Sequence, residues 1–262
     1  MYIKITSKDN SRIKAILGLY KSKQRNLNNL MIIEGIREIK RAINANWPIE
    51  EFYFSEEFLN NEMLDIIKES NIPLIECTKD IFSKISYQNN PDGLLAISKI
   101  KKFGFNDIKI NKKLLIIVAE GIEKPGNLGS ILRTADGAGV NALIIVNTKT
   151  DITNPNIIRS SVGSIFNVPI IETNFLDLNE WLRDNKIKSV ITSPKAKDIY
   201  SNYNFNGPTA IFVGSESKGL SNEIINSTKD KIFIPMHGIN DSLNVSVSIG
   251  IIIYEALRQR RS

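Results

Sequence analysis

The chain has 262 residues, 42% of them hydrophobic and 24% charged, with 15 glycines and 9 prolines, which supports one large core or two modest ones and excludes a disordered or low-complexity protein. A single cysteine, Cys77, and a single histidine, His237, exclude an internal disulfide framework and a closed Cys/His zinc site, so no metal is expected. The first residues lack an apolar signal core, and no run reaches the roughly 18 apolar residues of a membrane span, so the expectation is a cytoplasmic protein with no membrane association.

The net charge of +6 is unevenly spread: residues 1–46 hold ten Lys and Arg against three acids, a surplus of seven. A local basic patch is the electrostatic footprint of a protein that meets phosphate backbones, although a solvated helix face reads the same way. Residues 11–25 place Ile13, Ile16, Leu17 and Tyr20 at helical spacing among basic residues, which predicts one amphipathic helix. Arg12, Lys14, Lys21, Lys23, Arg25 and Arg37 are the RNA-binding candidates in this segment. Short apolar runs at 31–33, 51–54, 73–75 and 94–97 then alternate with helix-like stretches at 37–45, 57–69 and 79–85, a small α/β unit.

Between 99 and 113 the chain turns polar and basic without periodicity, which predicts a linker. The expected division is therefore a first domain at 1–98, a linker at 99–112 and a second domain at 113–262. In the second domain, runs at 114–119, 142–146, 189–192, 210–213 and 231–234 are continuously apolar or β-branched and are separated by helical segments. Strands buried on both faces have that look, so the fold class is α/β, with a mostly parallel sheet covered by helices.

Ligands of such sheets bind beyond the carboxyl ends of the strands, so the residues that follow each run are the informative ones. After the first run comes a turn-rich loop, 120–129, that opens a helix. Asn127 is placed near its start, and Arg133 six residues on, about 9 Å along the axis, within reach of one extended ligand. A helix cap and a surface ion pair would explain the same two residues. After the fourth run, Gly214-Ser215-Glu216-Ser217-Lys218-Gly219 is another glycine-rich turn. It is neither a Walker loop, since Leu220 stands where the lysine belongs, nor a nucleophile elbow, since Ser215 replaces the first glycine. Glu216 can equally be a turn acid bonded to a neighbouring loop. Finally, Asp241, Ser242 and Asn244 precede a long apolar run that is read as a helix buried on most sides, either an ordinary core helix or part of a subunit interface.

Taken together, NLGSILRTADGAGV, IFVGSESKGLS and IPMHGINDSLNVSVSIGIIIYEAL resemble, in order and spacing, the three motifs of the SpoU (TrmH) family of SPOUT RNA methyltransferases. RSSVGSIFNVPI and PDGLLAI also look familial, and residues 1–98 resemble an L30e-like substrate-binding domain. The resemblance implies a C-terminal α/β domain with a deep trefoil knot, homodimers paired through that domain, and S-adenosyl-L-methionine as cofactor. It places the cofactor among Thr192, Ser193, Gly214, Ser215, Glu216, Ile234, Met236, Ser242, Leu243 and Asn244. It assigns catalysis to Arg133, Asn127, Glu216, Asn244 and Ser242, with Arg133 holding the substrate phosphate and hydroxyl, and adds Arg133 and Arg159 to the RNA contacts. His237 has no counterpart in what the family needs, and Asp92 stands where many relatives carry Gln.

The expected reaction is methylation of a ribose 2′-hydroxyl, with 23S ribosomal RNA favoured over tRNA. A non-catalytic RNA-binding dimer and a base methyltransferase are the alternatives. No catalytic His or Cys is required, because in-line placement of the hydroxyl carries most of the task.

Overall fold

Two sets of apolar runs set out two sheets in the computed structural model, which describes residues 3–261. They belong to separate compact units: residues up to Lys101 together with 151–167, and the remainder.

The first unit contains β1 (Ile3–Ile5), α1 (Ser11–Leu19), α2 (Ser22–Asn28), β2 (Leu30–Glu34), α3 (Ile36–Asn44), β3 (Ile49–Phe54), α4 (Asn61–Glu69), β4 (Leu74–Cys77), α5 (Lys79–Ile85) and β5 (Leu94–Lys99). Its sheet runs β1-β4-β3-β5-β2, with β5 antiparallel to both neighbours and the remaining pairs parallel. Ile13, Ile16 and Leu19 on one face of α1 bury against Ile32, Tyr53, Ile75, Leu95 and Ile97. The single helix expected over residues 11–25 is two helices. Lys21 takes an extended backbone between them, and its N–H closes the first helix on Gly18 O at 2.9 Å. Gly18, a poor helix former, stands where the first helix ends.

The later segment α7 (Pro155–Ser160) belongs to this unit. Trp47 donates its indole N–H to Phe166 O at 3.0 Å, and Arg41 donates to Val162 O at 2.8 Å, so the segment is fastened by specific bonds. Gly163 adopts φ +77, and a side chain there would press on Arg41 and the Glu38 backbone.

The second unit contains β6 (Leu115–Glu120), α6 (Pro125–Gly137), β7 (Ala142–Val146), β8 (Ile170–Thr173), α8 (Phe175–Asp184), β9 (Lys188–Thr192), β10 (Asp198–Ile199), β11 (Thr209–Val213), α9 (Asn222–Ser227), β12 (Asp230–Phe233) and α10 (Val245–Arg260). The strand order is β10-β12-β9-β11-β6-β7-β8, and every pairing is parallel. Ile116, Val118, Ile144 and Phe212 share one face and pack on Phe175, Leu178 and Leu182 of α8 and Ile224 of α9. α6 and α10 pack against each other. Burying both faces explains why these strands read as unbroken apolar runs.

The stretch expected as a linker is partly anchored. A 3₁₀ turn at Phe105–Asp107 stacks Phe105 on Trp181 with centroids 4.8 Å apart, Ile108 is buried and Phe103 packs on the same core, so three apolar residues in a polar run pin it to the second unit. The final helix is also less enclosed than its composition suggests, because Val247 and Tyr254, seven residues apart and therefore on one face, are each about half exposed.

Candidate active site and cofactor cleft

Three loops leave the carboxyl ends of β6, β11 and β12, and their local chemistry fixes where the polar groups point. Beyond β11 the chain doubles back: Ser215 N–H donates to Gly219 O at 3.2 Å and Gly219 N–H donates to Ser215 O at 2.9 Å. A Cβ on Gly214 would lie 2.1 Å from the Gly219 carbonyl carbon, so only glycine permits this closure. Gly219 itself turns the chain at φ +67. The tight base leaves Glu216 exposed on the turn.

Behind this turn lies Glu120, the last residue of β6, only 5% exposed. Its carboxylate accepts the Ser221 N–H at 2.6 Å and the Asn147 side-chain N–H at 2.9 Å, tying the loop after β11 to the one after β7. Sequence reasoning gave neither Glu120 nor Asn147 a role. The available signal was a lone acid closing an otherwise apolar strand.

α6 begins at Pro125, whose missing N–H is harmless in the first turn, so Asn127 sits inside that turn. Asn127 donates its amide N–H to Glu216 Oε1, and its Oδ1 accepts from Asn244 Nδ2 at 3.2 Å. Asn244 in turn caps α10, its Oδ1 accepting from Ser246 N–H at 2.9 Å and from the Ser246 hydroxyl at 2.7 Å. One hydrogen-bonded chain thus joins Asn244, Asn127 and Glu216 from three distant segments.

Next to it opens a cleft of about 540 Å³, a size ordinary for a small-molecule site. Thr192, Ser193, Gly214, Ser215, Glu216, Ile234, Met236, Ser242, Leu243 and Asn244 all line it. So do Lys124, Val213, Ile232, Phe233, Val245, Ser248 and Ile252, to which the sequence reading gave no part. Thr192 donates its hydroxyl to Phe212 O at 3.1 Å, and Ser193 N–H donates to Ile232 O at 2.9 Å, which fixes the β9 wall. The lining fits S-adenosylmethionine: Val213, Ile232, Ile234, Met236 and Ile252 offer apolar walls for a purine. Hydroxyls, amides and the glycine turn face the polar remainder of such a ligand. On the loop that includes Lys124, Glu123 is ion-paired with Lys149 at 2.6 Å, and the ammonium bonded to it holds its carboxyl below the usual range.

Residues 114–254 match the family described as SpoU rRNA Methylase. The chain belongs to that family. Residues 10–96 match an MRM3-like substrate binding domain. The 23S rRNA (guanosine(2553)-2′-O)-methyltransferase RlmP of Bacillus subtilis is 26% identical over 250 residues, 95% of this chain and 97% of that one. A solved RNA 2′-O ribose methyltransferase is 36% identical, with a TM-score of 0.88 over 99% of this chain and 100% of that one. The SpoU methyltransferase AviRb from Streptomyces viridochromogenes, in complex with the cofactor AdoMet, is 25% identical, with a TM-score of 0.91 over 97% and 99% of the two chains.

Not every SpoU candidate residue joins this cleft. Arg133 is exposed on α6, its side chain makes no hydrogen bond or ion pair among the described residues, and it does not line the cleft. Ser242 lines it through an exposed loop, with its hydroxyl 3.4 Å from Asp241 Oδ1. His237 is exposed and outside the lining.

The basic candidates of the first unit differ among themselves. Lys21, Lys23, Arg37 and Arg159 are exposed, Lys14 pairs with Asp9 at 3.1 Å, and Arg12 is paired with Glu51. Arg25 is a correction. It is 2% exposed, and its guanidinium donates to Leu19 O at 2.7 Å, Thr153 Oγ1 at 2.9 Å and Asp151 Oδ2 at 2.5 Å. With its charge paired and its donors engaged inside the protein, it is a structural cation rather than a phosphate ligand.

Proposed function

We propose that this SpoU protein is a cytoplasmic homodimer that methylates a ribose 2′-hydroxyl of 23S ribosomal RNA with S-adenosylmethionine. The observation that carries the reading is the Asn244, Asn127, Glu216 chain beside a cleft that fits the cofactor. The ribosomal substrate is supported by the similarity to RlmP, which is named for 23S rRNA. Exposed Val247 and Tyr254 on one face of α10 support a partner subunit there. A knotted path is supported by the cleft's being walled by the segments after β9, β11 and β12, with α10 returning to α6.

Bound in the cleft, S-adenosylmethionine supplies an electrophilic methyl group on a positively charged sulfur. The protein's own residues have to hold the hydroxyl in line and stabilise its oxygen as the proton leaves. Asn127 cannot swing freely, because both ends of its amide are engaged, so it orients Glu216 and fixes the rim of the cleft. A guanidinium is a permanent cation and a fork of N–H donors, so the role of Arg133 is to hold phosphate and favour the developing alkoxide rather than to take the proton. The exposed Glu216 carboxylate is the acceptor best placed for that proton, directly or through water.

The test is transfer of a tritiated methyl group to unmodified 23S rRNA and tRNA transcripts, followed by nucleoside analysis. Label in one 2′-O-methylated nucleoside of 23S rRNA is expected, and Arg133→Ala should reduce it by roughly 100- to 1000-fold while cofactor affinity holds. Label in tRNA alone or on a base would replace the substrate assignment, and cofactor binding without transfer to either RNA would count against catalysis on naked RNA.

A further inference from the structure

In the first unit, an exposed aromatic ring is held with more machinery than a surface tyrosine needs. β2 ends at Glu34, a largely buried carboxylate that accepts the Ser86 hydroxyl and, at 2.7 Å, the Tyr87 backbone N–H. Ser86 Oγ also accepts the Gln88 N–H at 3.0 Å, so the backbone of 86–88 is fixed from within. Burial pushes the Glu34 carboxyl up despite these bonds, a cost that a plain surface turn would avoid. Tyr20 backs the Tyr87 ring, with centroids 5.9 Å apart and planes 25° from parallel, and is itself anchored by its hydroxyl to Ile85 O. Tyr87 nevertheless remains 43% exposed.

We propose that Tyr87, with the Gln88 amide and the Arg159 guanidinium beside it, binds one unstacked base of the RNA and its phosphate. The three side chains line one shallow concavity together with Ile32, Pro155, Ile158 and Glu34, whose two carboxylate oxygens are taken up by Ser86 and the Tyr87 N–H. Among the described residues, neither the Gln88 amide nor the Arg159 guanidinium has a hydrogen-bond partner, and Arg159 is exposed. The set matches the chemistry of a splayed nucleotide: a ring backed on one side for stacking, an amide with donor and acceptor for a base edge, and a planar cation for phosphate. Exposed Lys21, directly after Tyr20, adds positive charge nearby in the chain. The site rests on the RNA-methyltransferase reading for its ligand but reads substrate rather than performing chemistry.

Binding of an unmodified 23S rRNA transcript by filter retention tests it, with methyl transfer and S-adenosylmethionine affinity measured separately. Tyr87→Ala should weaken RNA binding by roughly 5- to 150-fold, the range for loss of one stacked base, and raise KM for RNA with kcat and cofactor affinity unchanged. Tyr87→Phe should behave as wild type, and Arg159→Gln should weaken binding and flatten its salt dependence. RNA affinity unchanged in Tyr87→Ala overturns the site even in a fully active methyltransferase. Tyr87-dependent RNA binding without methyl transfer leaves the site standing and overturns the catalytic reading instead.

Discussion

Asn127 and Glu216, 89 residues apart in the chain, meet as amide donor and carboxylate acceptor, and Asn127 is held on its other side by Asn244. The bond makes the rim of the cleft depend on one amide being an amide. Asn127→Asp sets a second carboxylate against Glu216, so repulsion replaces a hydrogen bond and the turn after β11 is driven off its position. Methyl transfer should fall by more than about 100-fold, with S-adenosylmethionine affinity changed less than about tenfold by calorimetry. Equal loss of both would mean that the chain of amides merely builds the cofactor site.

The turn itself gives a sharper geometric test, because its two glycines are needed for different reasons. Gly214→Ala would drive a methyl group into the Gly219 backbone, whereas a Cβ at Gly219 meets nothing within 4 Å and suffers only from φ +67. Backbone cannot yield as a flexible side chain can. Gly214→Ala should therefore abolish measurable cofactor binding and lower stability by about 1–3 kcal/mol, while Gly219→Ala loses no more than about 1–2 kcal/mol and keeps binding. The comparison is read by calorimetry and urea denaturation, and equal behaviour of the two variants would sink the steric account.

Arg25 shows what the sequence could and could not disclose. In a basic segment an arginine reads as another surface cation, because its partners Asp151 and Thr153 lie 126 and 128 residues away and no periodicity connects them. The same blindness hid the attachment of 151–167 to the first unit, and the roles of Glu120 and Asn147, which come from separate loops. The cleft lining was legible for the opposite reason: Gly214 to Glu216 and Ser242 to Asn244 fall within contiguous motifs that resemble those of the SpoU family, directly after an apolar strand or before an apolar helix. Helix positions followed the apolar spacing, but the break at Lys21 did not, since a single extended residue leaves that spacing nearly intact.

Removing Arg25 from its buried pair leaves Asp151 without its cation, and Arg25→Met should destabilise the protein by about 3–5 kcal/mol in urea unfolding. Arg25→Lys should not rescue it, because one ammonium cannot span Leu19 O, Thr153 and Asp151 as the guanidinium fork does. The pair also sets a pH dependence. Burial pushes the Asp151 carboxyl up, but hydrogen bonds from Ser22, Thr153 and Arg25 outweigh it and hold the group below its usual 3.8. A depressed carboxylate contributes stability that is full above its unfolded pKa and is lost as pH falls through the folded value. The wild type should thus lose stability below about pH 4 more steeply than an Asp151→Asn variant, and superimposable acid limbs would contradict the assignment.

Glu120 is placed to act on the reaction without touching it. Its buried carboxylate takes one N–H from the loop that carries Glu216 and one from Asn147, so the position of Glu216 toward Asn127 is set from behind. Glu120→Ala removes both acceptors at once and leaves the Ser221 N–H and the Asn147 amide with only whatever water can reach them. Hydrogen bonds to a charged group contribute about 1.5–3 kcal/mol, so kcat should drop by roughly 10- to 100-fold as the loop loosens, with KM for RNA little changed. Glu120→Gln distinguishes positioning from bulk stability. Its carbonyl still accepts from Ser221, and the Asn147 side chain can rotate to present its own oxygen to the new amide, so most of kcat should return. If Glu120→Ala and Glu120→Gln lose the same activity, the negative charge itself is what the site needs, and the loop-bracing account is wrong.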